Sequence, residues 1–178
     1  MIDRDPQHLH PLVREAARKT LEACERAGLP FRLFEGYRSP ERQTALYAQG
    51  RAAPGRIVTY ARAGESLHNY GLAVDIVGFV GGAWTWDLPQ QSWIHMQAFG
   101  KTYGLRGLSF EMPHIEWPVN IAELRAGVFP AGGDATWQAV VRVPATAAPV
   151  APKPEVTPAA LSDADRLNQA ELDRVRGA

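Results

Sequence analysis

The sequence predicts an α+β domain, a small antiparallel sheet flanked by helices. Three observations predict it. Apolar residues recur at three- and four-residue steps over residues 12–27, a Gly81-Gly82 pair separates two strand-like runs, and helix and strand signals are mixed rather than strictly alternating. At 178 residues and 46% hydrophobic composition, the chain suits one globular domain with a small appendage. A domain of about 140 residues hides roughly two thirds of the surface of its unfolded chain and needs no disulfide framework.

The first element is an amphipathic helix carrying Leu12, Val13, Ala16, Ala17, Thr20, Leu21, Cys24 and Ala27 on one stripe, with Pro11 in its first turn and Gly28 closing it. Phe31 to Phe34 reads as a short strand, and Ser39-Pro40 starts a second helix ending at Gly50. Residues 51–65 hold Gly, Pro and Arg without periodicity, a long loop of a length that usually serves a purpose. Ala73 to Val80 is a buried strand interrupted by one carboxylate, turning at Gly81-Gly82 into Ala83-Trp-Thr-Trp. Gln90 to Tyr103 is a helix closed by Gly104; His114 to Trp117 is a short strand, and Pro118 to Ala126 a brief helix. From Pro144 the composition changes: 11 of the 17 residues in 144–160 are Pro or Ala, which reads as an extended linker. The expected division is a domain over 1–143, a linker over 144–160, and a short helix or tail over 161–178.

Net charge is zero, which argues against a general nucleic-acid binder or a polybasic membrane anchor. Residues 32–62 nevertheless carry six arginines against Glu35 and Glu41; a solvated basic face and a surface attracting an anionic polymer are both open readings. The single cysteine, Cys24, lies on the apolar stripe of the first helix and reads as a small buried hydrophobe. The N-terminal residues lack the pattern of a secretory signal, and no run approaches the ~20 apolar residues that cross a bilayer. The expectation is synthesis in the cytoplasm without stable membrane insertion, as a monomer.

The chemistry concentrates in Ser66-Leu-His68-Asn-Tyr-Gly71-Leu-Ala73-Val-Asp75. Asp75 sits among Ala73, Val74, Ile76 and Val77, and an isolated buried carboxylate costs several kcal/mol unless compensated. A cation would compensate it, with His68 as a second ligand; backbone amides would also do so, and this segment alone leaves the two readings level. The segment Glu111-Met-Pro-His114-Ile-Glu116-Trp117 adds a second imidazole. Two histidines and one carboxylate suit zinc with a fourth position open for water. Glu111 is the candidate proton acceptor. Glu116 shares a strand face with His114, either supporting it from behind or forming a surface salt bridge. His8 and His10 read as solvated end residues, and His95 as a weaker candidate within a helix.

These residues closely resemble the zinc peptidases grouped with D-Ala-D-Ala carboxypeptidases and phage L-alanyl-D-glutamate endolysins. The resemblance runs from about Phe34 to Trp117 and includes Gly36-Tyr-Arg38-Ser-Pro-Glu-Arg-Gln43 as well as the two segments above. It implies one zinc ion held by His68, Asp75 and His114, with Glu111 as base and proton shuttle. Arg38 steadies the substrate carbonyl, and Ser66 and Gln43 support. It implies an antiparallel sheet as the floor of a zinc cleft. The activity expected from it is endopeptidase cleavage of the L-alanyl-D-glutamate bond in peptidoglycan stem peptides, lysing the cell wall after a separate protein permeabilises the membrane. A D,D- or L,D-carboxypeptidase or dipeptidase on the same scaffold, and a non-catalytic zinc-stabilised binding module, are the alternatives. The stretch Gly104 to Phe110 departs from the tryptophan-rich endolysin pattern, and many endolysins carry Asp where this chain has Glu111.

Overall fold

Helix α1 spans Pro11–Arg26, with Pro11 at its first position and the His10 side chain capping it, Nδ1 accepting the Leu12 amide at 3.3 Å. The structure, a computed structural model, describes residues 1–109, 111–141 and 149–150. Strand β1 (Phe31–Glu35) leads into α2 (Pro40–Ala48), whose Ser39 hydroxyl caps the Arg42 amide. A 3-10 turn over Leu67–Tyr70 precedes β2 (Ala73–Val80). Gly81 and Gly82 both take positive φ and close a two-residue hairpin to β3 (Ala83–Thr85), a turn hand that matches the strand twist. Then follow α3 (Gln90–Thr102), β4 (Arg106–Leu108), β5 (Glu111–Glu116), α4 (Ile121–Arg125), β6 (Phe129–Pro130), α5 (Ala135–Val141) and β7 (Pro149–Val150).

The main sheet is antiparallel in the order β1-β2-β5-β4, and β3 pairs with the far end of β2. Helices α1 and α3 pack on each other and on the sheet, sharing a core with β2 and β5 that includes Val13, Cys24, Trp93, Met96, Ile76 and Ile115. Strand alternation sends Val74 and Ile76 one way and Asp75 the other, so the face opposite the helices is left for polar groups.

Most predicted elements stand where the spacing puts them, and the α+β architecture is as expected. The differences have simple causes. The last sheet strand begins at Glu111 rather than His114, because a register irregularity opposite Leu108 hides its first half from any alternation pattern. The brief helix occupies only Ile121–Arg125, beginning after the Asn120 cap rather than at Pro118. Strand β4 is three residues long, and α5 depends on one aromatic anchor, Trp137, which is 1% exposed. Within the stretch read as linker, Pro149–Val150 pairs in parallel with Phe129–Pro130. The rest of the linker and the whole of 161–178 lie outside the described residues.

His10 departs furthest from expectation. It is fully buried rather than solvated, edge-on to Trp137 at 4.6 Å between ring centres, with Nε2 donating to the Pro130 carbonyl at 3.3 Å. Burial, opposed by that hydrogen bond and by Asp134, lowers its pKa to about 4. His95 lies on the outer part of α3, its Nε2 2.9 Å from Gln91 Nε2.

Candidate metal centre

Two cross-strand rows build the site. Asp75 on β2 lies directly opposite Glu35 on β1 and His114 on β5, so these three form one row across the sheet. The next row is Ala73, Glu116 and Arg106. His68 comes from the 3-10 turn above, which ends at Gly71 in the left-handed conformation.

Hydrogen bonds on the outer side of each ring fix what the inner side presents. His68 Nδ1 is 2.7 Å from the Gly36 carbonyl, which only accepts, so Nδ1 carries hydrogen and Nε2 of the neutral ring is bare. His114 Nε2 is 2.9 Å from Glu116 Oε2, so Nε2–H donates and Nδ1 of the neutral ring is bare. The two bare nitrogens are 3.1 Å apart, and Asp75 Oδ1 is 3.3 Å from each. Three lone-pair atoms thus converge with no hydrogen between them, an arrangement that repels itself unless a cation or a proton enters. A tetrahedral ion at about 2.0–2.1 Å from such atoms requires edges of roughly 3.3 Å. The triangle fits zinc in both donor chemistry and size.

Electrostatics describe the same competition. Burial disfavours the Asp75 carboxylate, but the charge and hydrogen bonds of His68 and His114 outweigh it and hold the carboxyl well below its usual range. Burial likewise disfavours a charged His114. Hydrogen bonds to Asp75 and Glu116 prevail and raise its pKa to about 9, so in the absence of an ion a proton on His114 is the compensating charge. Glu116 is buried and lowered despite that burial, held by His114 and by Arg106 at 2.6 Å. One carboxylate thus accepts from His114 on Oε2 and from Arg106 on Oε1.

Arg38 is 9% exposed and spends its donors within the protein. Nε and Nη2 donate to Glu35 Oε2 at 3.0 and 2.7 Å, Nη2 also to Asp75 Oδ2 at 3.0 Å, and Nη1 to Gln43 Oε1 at 3.1 Å. Of five guanidinium hydrogens, one on Nη1 lies outside these bonds. Gln43 is fully buried and donates to Ala61 O at 2.7 Å, which ties the long 51–65 loop to the floor of the site. Ser66 makes no capping bond with its side chain; its carbonyl accepts the Asn69 amide. Glu111 is exposed at the head of β5, paired through its backbone with Leu108, and its side chain makes no hydrogen bond or ion pair among the described residues.

The basic segment divides. Arg38 and Arg42 are turned inward onto Glu35, while Arg32 lies over Phe79 and Arg51 over Tyr47, at 4.3 and 4.0 Å from the ring centres. The signal that sequence reasoning missed is Glu35. Nothing in its flanking residues shows that it faces Asp75.

Fold and cluster together define an α+β domain with a candidate site for a single metal ion on the free face of its sheet. The chain belongs to the VanY family, D-alanyl-D-alanine carboxypeptidase, whose model matches residues 6–106. That match contains Arg38, His68 and Asp75 and stops short of Glu111 and His114. It is 39% identical over 107 residues to the peptidoglycan L-alanyl-D-glutamate endopeptidase CwlK of Bacillus subtilis, covering 56% of this chain and 64% of that protein. The chain therefore matches somewhat less than two thirds of the length of this curated relative. Among solved structures it is similar to DacB from Streptococcus pneumoniae D39, at 25% identity and a TM-score of 0.50, covering 71% of this chain and 79% of that one. It is also similar to the LD-carboxypeptidase LdcB, at 26% identity and a TM-score of 0.50, covering 66% and 70%.

Proposed function

We propose that the protein is a zinc peptidase that hydrolyses the L-alanyl-D-glutamate bond of peptidoglycan stem peptides. The observation that carries the hydrolase reading is the triangle of His68 Nε2, His114 Nδ1 and Asp75 Oδ1, each ring fixed from behind in the tautomer that binds a metal. The choice of bond is supported by the similarity to CwlK. The similarity of the 66–75 segment to phage endolysins supports a lytic use of that activity. The family description and the LdcB likeness favour a second reading, a D,D- or L,D-carboxypeptidase on the same scaffold.

A zinc ion held by the three side chains would acidify an attacking water and polarise the scissile carbonyl. The chain supplies the rest. Glu111, exposed and three residues before His114, accepts the proton of the water and returns it to the departing amine nitrogen. Arg38 locks Asp75 from one side, and its remaining Nη1 hydrogen is the one donor available to a substrate oxygen as negative charge develops there. Glu116 keeps His114 in the correct tautomer.

The test is digestion of purified muropeptides followed by mass spectrometry, with and without a chelator and with zinc restored. Products cleaved between L-Ala and D-Glu, lost on chelation and regained with zinc, support the proposal. Loss of a terminal D-Ala with the L-Ala–D-Glu bond intact selects the carboxypeptidase, and turnover indifferent to chelation removes the metal reading.

A further inference from the structure

Glu35 has no part in the chemistry above, yet it is 2% exposed and directly opposite Asp75 on paired strands. Like charges in that relation oppose strand pairing. Arg38 relieves the conflict, its Nη2 donating to both Glu35 Oε2 at 2.7 Å and Asp75 Oδ2 at 3.0 Å. Arg38 Nε donates to Glu35 Oε2 as well, and Arg42 Nε closes on the other oxygen, Oε1. With one Nη1 hydrogen on Gln43, the guanidinium is held at all three of its nitrogens.

The consequence falls on Asp75. A metal-binding carboxylate can offer one oxygen or both. Here Oδ1 faces the two bare imidazole nitrogens, at 3.3 Å from each, while Oδ2 is occupied by Arg38. We infer that Glu35 is a positioning residue that, through Arg38, confines Asp75 to single-oxygen coordination and so keeps a fourth position on the ion open for water. The inference rests on the metal centre proposed above and concerns how that centre is tuned.

The test uses the full chain loaded with cobalt(II), whose visible bands are strong in four-coordinate sites and weaken as coordination number rises. Glu35→Gln keeps the shape and removes the charge. The expected result is about 10- to 100-fold weaker metal binding, by competition with a chromophoric chelator. At saturating cobalt the bands also weaken as the second Asp75 oxygen joins. Arg42→Gln breaks the other Glu35 ion pair without touching Asp75 and keeps the wild-type spectrum. A purely structural Glu35 would lower the melting temperature yet leave the saturated spectrum unchanged, and that outcome overturns the inference. Should Glu35→Gln fail to fold, X-ray absorption of the zinc-loaded wild type decides: one near carboxylate oxygen supports the inference and two overturn it. Wild-type protein that takes up no metal at all removes the centre itself, a failure separate from a bound ion with both oxygens attached.

Discussion

His114 and Glu116 lie on one face of β5, and the imidazole Nε2–H is donated to Glu116 Oε2 at 2.9 Å while Arg106 holds the other oxygen. The carboxylate thus fixes which ring nitrogen faces the metal triangle. Glu116→Gln keeps the size but lets the amide present either a donor or an acceptor to the ring. Zinc affinity should fall about 10- to 100-fold with the far-UV spectrum unchanged, measured by chelator competition. Wild-type affinity in the variant would remove Glu116 from the site.

Glu111→Ala separates binding from chemistry. Loss of a general base costs about 10²- to 10⁴-fold in turnover, and zinc stoichiometry should stay at one per chain. Muropeptide assays alongside metal analysis check both quantities. Near-normal turnover would assign the proton transfer elsewhere.

Metal should also stabilise the fold, because the self-repelling triangle exists only in the folded chain. Free zinc at a hundredfold excess over its dissociation constant adds about 2.7 kcal/mol. Chelation should therefore lower the melting temperature, and the effect should vanish in His68→Ala. A melting temperature indifferent to zinc would contradict the assigned ligand set.

His10 sets an acid limit unrelated to the metal. Its pKa is lowered from 6.5 to about 4 in the fold, so the unfolded chain takes up the proton first. The associated stability is complete above pH 6.5 and is lost as pH falls toward 4, to a total of about 3 kcal/mol. Urea titrations of the chelated protein across this window should show a slope that His10→Asn flattens. An equal slope in both proteins would place the acid sensitivity in another group.

Cys24 is fully buried and its thiol is pushed up to about 12, chiefly by burial. The thiolate, the reactive form, is then scarce at pH 8. Native protein should fail to react with a chromogenic disulfide reagent over minutes, and denatured protein should release one equivalent at once. Rapid native labelling would show that this part of α1 opens readily.

The three side chains that converge were legible in the sequence because their signals were local. Asp75 stood out as a carboxylate inside an apolar strand, and the spacing of His68 and His114 around it completed a recognisable pattern. The supporting network was opaque for the opposite reason. Glu35 faces Asp75 only because the β1–β2 register shifts between Leu33 and Glu35, and registers between strands forty residues apart leave no periodic trace. The resemblance implied a substrate-facing role for Arg38 but gave no sign that four of its five guanidinium hydrogens are committed to Glu35, Asp75 and Gln43. His10 was misjudged because a residue before a first helix is ordinarily wet, and the groups that meet its ring, the Pro130 carbonyl and Trp137, lie 120 and 127 positions later.

The turn that aims His68 ends at Gly71, whose φ is +62° and whose missing Cβ would lie 2.7 Å from the His8 carbonyl and 3.0 Å from the Trp137 ring. The Gly71 carbonyl accepts the His10 amide, and Trp137 Nε1 donates to Tyr70 O. An enzyme shortened to end at Trp117 would keep every atom assigned to catalysis and still lose one wall of the joint that points a ligand. Miniaturising this protein is therefore constrained by carpentry at residues 8–10 and 137, far from any reacting bond.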